Sequence, residues 1–209
     1  MSVGYGIVTT KGREDYLEQT LNSISENGIE IKVLKDLEEG QLKNHIASML
    51  KLFEENDWAF LIQDDVIASK NWSKLVELMA EKDYPIVSFY SATKQTLEPT
   101  NQIKGYYLTT NWINEQAMLI RKDFYYNFLD WVFAGLQEKP HYGHDGLLQE
   151  FLKKYKFKVK ILAPSIFQHT GEKSSVGHAW KMFGKERNSP SFMGKDWDCY
   201  EHYKNLYGI

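Results

Sequence analysis

The first ninety residues alternate between two apolar patterns, and this alternation restricts the fold more than any other feature of the sequence. Short runs of apolar and β-branched residues, typical of buried strands, occur at 5–9, 29–34, 58–62 and 86–90. Between these runs, apolar residues recur with the spacing of one helix face, as in Leu17, Leu21 and Ile24. Strands separated by helices in this order form right-handed βαβ units on a parallel sheet. We therefore expect an α/β fold with a mostly parallel central sheet flanked by helices.

The second half of the sequence is less regular. Residues 91–104 are polar and predict a loop, whereas helical spacing returns near 124–136 and 145–155. A last strand is expected at 157–162. The lysine-rich segment from Lys153 to Lys160 is interpreted as a solvated helix end followed by a strand with alternating faces, the alternative being a local basic patch. A chain of 209 residues can bury one substantial core, so we expect one domain.

Charge and cysteine content narrow the class of protein. A net charge of −3 argues against a general electrostatic grip on nucleic acid. Cys199 is the only cysteine, so no disulfide forms within the chain and a reducing compartment is expected. The N-terminal residues lack the basic region and apolar run of a signal peptide, and no apolar stretch reaches the roughly 20 residues that span a bilayer. We expect a cytoplasmic protein without a membrane anchor.

Two adjacent carboxylates, Asp64 and Asp65, directly follow the apolar run at 58–62. In open α/β sheets, ligands bind at the carboxyl ends of the strands. Two like charges buried there are unfavourable unless a cation neutralises them, and a divalent ion could do so while bridging the pyrophosphate of a nucleotide. The alternative is a solvated turn, in which Asp pairs are common.

Two further motifs lie in the second half. His144-Asp145 opens an amphipathic helical segment, and the simplest interpretation of Asp145 is an N-cap, because free amides and the helix dipole stabilise a carboxylate there. Residues 164–175 have the sequence PSIFQHTGEKSS. His169 in this segment follows the last strand, where a neutral imidazole could bind a metal, although a single histidine at a strand end is usually structural.

In their order and spacing, these motifs resemble the GT-A glycosyltransferases over most of residues 3–176. Residues 63–65 resemble the DxD-type signature, with Gln63 at the place of the usual first acidic residue. His144-Asp145 resembles the Glu-Asp motif of inverting family-2-like enzymes, with histidine replacing glutamate. Residues 164–175 resemble the PSxxQHxGxxSS segment of N-acetylglucosaminyltransferase IV-like enzymes.

The resemblance implies a single GT-A (Rossmann-like) domain over residues 1–209. Its parts would be a nucleotide-binding half at 1–90, an acceptor and catalytic half at 91–176, and a C-terminal lid or acceptor surface at 177–209. It also implies a divalent metal, Mn²⁺ or Mg²⁺, held by Asp65 and His169 with Asp64 as a further ligand. Asp145 would deprotonate the acceptor hydroxyl.

The same resemblance assigns further residues to the nucleotide-sugar and to the acceptor. Donor contacts would come from Thr9, Thr10, Arg13, Asp36, Lys43, Asn44, Asp64, Lys173, Ser174 and Ser175. Helix caps or exposed polar groups are the alternative for those in the first half. The acceptor would meet Trp112, Tyr107, His144 and Trp180, and core packing is the alternative for the three aromatic residues.

Two functions remain compatible with the sequence. The first is inverting transfer of a sugar from a nucleotide-sugar, expected to be a UDP-sugar, to an acceptor glycan, small molecule or modified nucleic acid. The second is a catalytically inactive GT-A-like module that binds a sugar or nucleotide. Other classes are disfavoured, because the sequence lacks a Gly-x-Ser-x-Gly elbow and because Gly4-x-Gly6 is expected to precede the first strand instead of following it.

Overall fold

The computed structural model describes residues 1–26, 28–35, 40–82, 84–111, 115–135, 143–170 and 188–209. The strands are β1 (Val3–Thr9), β2 (Ile31–Lys35), β3 (Trp58–Gln63), β4 (Val66–Ala68), β5 (Ile86–Ser88), β6 (Tyr106–Thr109), β7 (Ala117–Arg121), β8 (Val159–Leu162) and β9 (Phe167–His169). The helices are α1 (Glu14–Ile24), α2 (Gln41–Phe53), α3 (Trp72–Ala80), α4 (Pro99–Lys104), α5 (Lys122–Gly135), α6 (His144–Tyr155) and α7 (Cys199–Tyr207). The predicted alternation of strands and helices in the first ninety residues is confirmed.

The central sheet has seven strands in the order β2-β1-β3-β7-β5-β8-β6. β1 is parallel to β2 and β3, and β5 is parallel to β8. β7 is antiparallel to both β3 and β5, and β6 is antiparallel to β8. All strands of this sheet except β6 and β7 therefore share one direction, which confirms the predicted mostly parallel sheet. A separate two-stranded sheet pairs β4 with β9.

Buried side chains form two cores, one on each face of the central sheet. On β3, Phe60 and Ile62 belong to one core while Ala59 and Leu61 belong to the other, because successive side chains of a strand point to opposite faces. The first core also receives buried residues of α1, α3 and α7, and the second receives those of α2, α5 and α6. The sheet is thus covered by helices on both faces.

Gly4 and Gly6 lie inside β1, so the expectation that they precede the first strand is wrong. A Cβ atom at Gly6 would lie 2.7 Å from a methyl carbon of Leu34 and 3.0 Å from one of Leu52. The absence of a side chain at Gly6 therefore lets α2 pack closely on β1, which is a structural role and not a phosphate-binding one.

Two predictions for the second half are corrected. Residues 91–104 are not a simple loop: they contain a 3₁₀ helix at Lys94–Leu97 and then α4, which starts at Pro99 and stops at Gly105 with a φ of 75°. In the lysine-rich segment the strand starts at Val159 instead of 157, and its faces alternate between the cores, with Ile161 in the second and Leu162 in the first, so that all four residues of β8 are buried. Lys160 is 3% exposed, since β8 lies between β5 and β6 and is covered on both faces.

The C-terminal residues in the described part, 188–209, include α7, which packs against the first core. Cys199 and Tyr203 of α7 are fully buried, and the Tyr203 hydroxyl donates to the carbonyl of Pro164 at 2.8 Å. At the start of α7, the Asp198 carboxylate accepts from the Asn71 amide at 2.7 Å. In the described ranges, no helix has the length and apolar character needed to cross a bilayer.

Candidate functional site

The two predicted carboxylates lie in the turn between β3 and β4, at the carboxyl edge of the central sheet. The backbone of this turn is held from three sides. Gln63 N–H donates to the Gln116 carbonyl at 3.0 Å, the Thr20 hydroxyl donates to the Asp64 carbonyl at 2.8 Å, and Thr170 N–H donates to the Asp65 carbonyl at 2.9 Å. Asp64 and Asp65 are only 5% and 7% exposed, so the turn is buried and the solvated alternative is excluded.

Arg13 neutralises much of the charge of this turn. Its Nε donates to the Asp64 carboxylate oxygens at 2.9 and 3.0 Å, and its Nη2 lies 2.8 Å from Asp64 Oδ1 and 2.7 Å from Asp65 Oδ2. The guanidinium also lies 4.8 Å from the centre of the Tyr16 ring. Arg13 was expected to contact the nucleotide-sugar or to be an exposed polar group, and the structure places it on the two carboxylates. A divalent ion is therefore not needed to make the buried pair tolerable, because a guanidinium already bridges it.

The antiparallel pairing of β4 with β9 brings His169 to the acidic turn. Val66 is the register partner of His169, and His169 Nε2 lies 3.3 Å from Asp65 Oδ2. Burial alone would raise the pKa of Asp65, but His169 and Arg13 outweigh it and lower this pKa below its ordinary value. The predicted convergence of Asp65 and His169, which are distant in the sequence, is present in the structure.

The residues at this turn fit one divalent ion held by few protein ligands. Asp65 Oδ1 is buried and accepts no hydrogen bond from the described residues. His169 Nε2 lies 3.3 Å from the other oxygen, Oδ2, which also accepts from Arg13 at 2.7 Å, so an ion would meet Asp65 at Oδ1. In the described part of the chain, no three His, Cys, Asp or Glu side chains form a metal-binding group. Asp64, expected as a further ligand, is held on both oxygens by Arg13.

Asp145 lies in the first turn of α6 and is partly buried. The sequence predicted Asp145 as the N-cap of α6, but Gly143 takes that position. The Asp145 carboxylate instead accepts from the N–H of Gly146 at 2.8 Å. Burial, and then the negative charge of Glu115, raises the pKa of Asp145 above its ordinary value. A carboxylate with a raised pKa is a stronger base than an ordinary surface aspartate.

Sequence reasoning missed a buried polar cluster formed by Glu115, His144, His45 and Tyr125. Glu115 Oε1 lies 2.5 Å from His144 Nδ1, and His144 Nε2 lies 2.9 Å from the Tyr125 hydroxyl. The second Glu115 oxygen lies 3.4 Å from His45 Nε2, and the two imidazoles stack at 5.2 Å. The only sequence signal was an acidic residue just before the apolar run of β7, which does not reveal its partners. The cluster lies at the same sheet edge as the acidic turn, because Gln116 pairs with Gln63.

Two of the predicted acceptor contacts are corrected. His144 has no exposed surface and bonds Glu115 and Tyr125, so it belongs to the core and does not face an acceptor. Tyr107 is 8% exposed, packs in the second core, and uses its hydroxyl on Ser91 and Thr93 at 3.0 and 2.9 Å. Core packing explains both residues.

The remaining predicted donor residues are partly described. Thr9 ends β1 opposite Lys35 of β2 and is buried, and Thr10 follows it. Lys43 and Asn44 lie in the first turn of α2, the former exposed and the latter buried. The other predicted donor and acceptor residues lie outside the described residues: Asp36, Lys173, Ser174, Ser175, Trp112 and Trp180.

Comparison with known proteins gives matches at the level of structure. No protein-family model and no curated protein matches the sequence. The crystal structure of S. aureus TarS 1–349 superposes with a TM-score of 0.53 at 12% identity, covering 82% of this chain and 61% of that chain. A Drosophila β-1,4-galactosyltransferase 7 mutant in complex with manganese, UDP-Gal and xylobiose gives 0.53 at 10% identity, covering 96% and 79%. A glycosyltransferase involved in glycosylation of the major capsid of PBCV-1 gives 0.50 at 16% identity, covering 82% and 94%.

These matches show that the chain has the GT-A fold. The fold places Asp64 and Asp65 at the carboxyl edge of its sheet, where α/β proteins bind ligands. The likeness of residues 164–175 to N-acetylglucosaminyltransferase IV-like enzymes stays a prediction, as does the role of each site residue.

Proposed function

We propose that this protein is a glycosyltransferase that moves a sugar from a nucleotide-sugar to an acceptor hydroxyl with inversion of the anomeric carbon. The observation that carries the proposal is the meeting of Asp65 and His169, 3.3 Å apart, at the carboxyl edge of a GT-A sheet. Residues 104 positions apart in sequence are brought to one turn, and the free carboxylate oxygen of Asp65 completes a place for a cation.

The donor end of the site is organised by positive charge. Asp65 and His169 would hold Mn²⁺ or Mg²⁺, which offsets the charge of the departing diphosphate when bound. Arg13 holds both carboxylates of the turn in place, so that Asp65 Oδ1 keeps its position without a ligand. Such preorganisation avoids moving the charged groups during the reaction.

The acceptor end is organised around Asp145. Its partly buried carboxylate, with its raised pKa, would accept the proton of the attacking hydroxyl. A base that activates the acceptor on the side opposite to the leaving diphosphate produces inversion. A UDP-sugar is the donor we favour, in line with the UDP-Gal complex of the similar Drosophila enzyme. The acceptor is a hydroxyl of a glycan, a small molecule or a modified nucleic acid.

Binding and turnover of nucleotide-sugars test this function. A panel of nucleotide-sugars is screened by thermal unfolding, with and without Mn²⁺, because a ligand at a hundred times its Kd stabilises the folded state by about 2.7 kcal/mol. We expect a UDP-sugar to raise the melting temperature more when Mn²⁺ is present. If no nucleotide-sugar in the panel changes it under either condition, the proposal is wrong.

Turnover with the stabilising donor separates an enzyme from a binding module. Release of nucleoside diphosphate is measured for the wild type, for Asp145→Asn, and for Asp130→Asn, which changes an exposed carboxylate on α5. Loss of the base should slow turnover by about 10²–10⁴-fold, whereas the control should match the wild type. Donor binding without any turnover in the wild type would favour the inactive module.

A further inference from the structure

The buried cluster around Glu115 joins three helices to the start of β7. Glu115 directly precedes Gln116 and β7, His45 belongs to α2, Tyr125 to α5 and His144 to α6. All four side chains are nearly inaccessible, with exposures of 2%, 5%, 0% and 0% in that order. Polar groups are retained at such depth only with partners, because each would otherwise carry its full desolvation cost.

The hydrogen bonds in the cluster join Glu115 to Tyr125 through His144. The Nδ1–H of His144 donates to the Glu115 carboxylate at 2.5 Å, and His144 Nε2 lies 2.9 Å from the Tyr125 hydroxyl. Burial raises the pKa of Tyr125 well above its ordinary value, so the hydroxyl retains its proton. Burial alone would raise the pKa of Glu115, but the two imidazoles outweigh it and lower this pKa. The cluster therefore holds a carboxylate anion in the core.

This anion acts on the first turn of α6 in two ways. His144 is the first residue of α6 and is held by Glu115, so the position of the next residue, Asp145, depends on that contact. The charge of Glu115 is also the second largest cause, after burial, of the raised pKa of Asp145. Among the described residues, the titratable side chains that face Glu115 are His45 of α2 and His144 of α6, and Tyr125 of α5 bonds the far side of His144.

We propose that Glu115 and His144 are positioning residues for Asp145, holding the first turn of α6 against the start of β7 and keeping a fixed negative charge near the carboxylate. This inference rests on the proposed function for its catalytic meaning. The structural part does not, because it concerns the state of Asp145 in the protein without substrates.

The first test measures that state directly. The carboxyl pKa of Asp145 is determined by ¹³C NMR in the full chain without ligands, with the signal assigned by its loss in Asp145→Asn. Glu115→Gln keeps the shape of the side chain and removes its charge, so the pKa of Asp145 should fall. Glu54→Gln is the matched control, since it removes one negative charge from an exposed residue that pairs with Lys51, and it should leave this pKa unchanged.

The second test follows catalysis. The acid limb of the pH profile of kcat/KM should move to lower pH in Glu115→Gln, in the same direction as the NMR titration. His144→Ala should lower kcat at least tenfold with little change in KM, because a small displacement of a catalytic group slows the chemical step. His144→Asn, whose amide nitrogen can replace Nδ1 as donor to Glu115, should recover most of that loss.

The outcomes separate the two proposals. Suppose that the pKa of Asp145 falls in Glu115→Gln and is unchanged in Glu54→Gln, but that no glycosyl transfer occurs. The effect of Glu115 on Asp145 is then confirmed and the proposed function fails. If the enzyme is active and depends on Asp145, but Glu115→Gln changes neither titration nor pH profile, the inference is overturned. If Glu115→Gln does not fold, the two His144 variants decide. Equal losses of kcat in His144→Ala and His144→Asn would overturn the inference.

Discussion

The ion pairs of Arg13 give the sharpest quantitative prediction. The variant Arg13→Gln leaves Asp64 and Asp65 adjacent, buried, and without the guanidinium that now lies 2.7–3.0 Å from their oxygens. Side-chain exposures of 9% for Arg13 and of 7% and 9% for the two aspartates place this among buried pairs, whose disruption by removal of one partner costs about 3–5 kcal/mol. For a protein of this size, 1 kcal/mol shifts the melting temperature by about 2–4 °C, so we expect a fall of roughly 6–20 °C.

The assay is urea unfolding at neutral pH and at about pH 3.5, followed by circular dichroism. Because the folded pKa of Asp65 is lowered, its stabilising contribution is present above the unfolded value of about 3.9 and is lost as the pH falls through the folded value. The difference in free energy of unfolding between the wild type and Arg13→Gln should therefore be smaller at about pH 3.5 than at neutral pH. Lys51→Gln, which breaks an exposed pair with Glu54, is the control and should leave the unfolding midpoint unchanged within error.

A small deficit at neutral pH, below about 1 kcal/mol, would mean that the carboxylates are as well screened as surface groups and would refute the reasoning. A deficit that persists unchanged in acid would show that Arg13 acts through packing against Tyr16 instead of charge. The double variant Arg13→Gln with Asp64→Asn should be less unstable than the sum of the two single variants predicts, since the pair is coupled.

Three further predictions concern separate parts of the molecule. His169→Gln should abolish the additional thermal stabilisation that Mn²⁺ gives with a nucleotide-sugar, as measured by thermal unfolding; if the additional stabilisation remains, His169 is not a ligand. Burial, and then the charge of Lys82, lowers the pKa of Lys160 to about 8, so folding disfavours its charged form. This cost to the free energy of unfolding disappears as the pH rises from about 8 towards the pKa of Lys160 in the unfolded chain. The free energy of unfolding of the wild type should therefore rise relative to Lys160→Met between about pH 7.5 and 9.5, and a constant difference in urea unfolding would count against this. Gly6→Ala should cost about 1–3 kcal/mol in the same assay through overpacking against Leu34, while Gly135→Ala, with no atom within 4 Å, should cost nothing measurable.

Local sequence patterns predicted the parts of this fold that depend on neighbouring residues. The strand that ends at Gln63 is a continuous apolar run and the helix that contains Asp145 has a periodic apolar pattern, so the sequence alone was enough to place their carboxylates at element ends. The meeting of Asp65 and His169 was different. It depends on the pairing of β4 with β9, and the sequence indicated it only through resemblance to a family.

The partners of the charged residues could not be predicted from local patterns, because strand order decides them. Arg13 follows β1, and it reaches Asp64 because β1 and β3 are neighbours in the sheet. Glu115 reaches His144 for a similar reason, through the central position of β7. A charged residue next to an apolar run has no local mark of its eventual partner, and exposure is the default expectation.

Lys160 is a second case in which the local sequence pattern did not predict the surroundings of a charged residue. The alternation of lysine with apolar residues predicted a strand with alternating faces, a pattern typical of a sheet with one side open to water. Here the strand is interior, and the ammonium group lies 4.4, 4.8 and 5.0 Å from the ring centres of Tyr106, Tyr84 and Tyr207. Three aromatic rings from separate parts of the chain replace the water that the pattern assumed.

The direction of β7 determines which sequence changes can reach the edge of the sheet that carries Asp64 and Asp65. Because β7 runs against β3, Gln116 lies beside Gln63, while the end of β7 at Arg121 lies beside Trp58 at the opposite edge. Insertions or deletions directly before Gln116 would thus alter the edge that carries Asp64 and Asp65. Changes directly after Arg121 would begin at the opposite edge, and would reach the acidic turn only through a shift of α5, whose Tyr125 bonds His144.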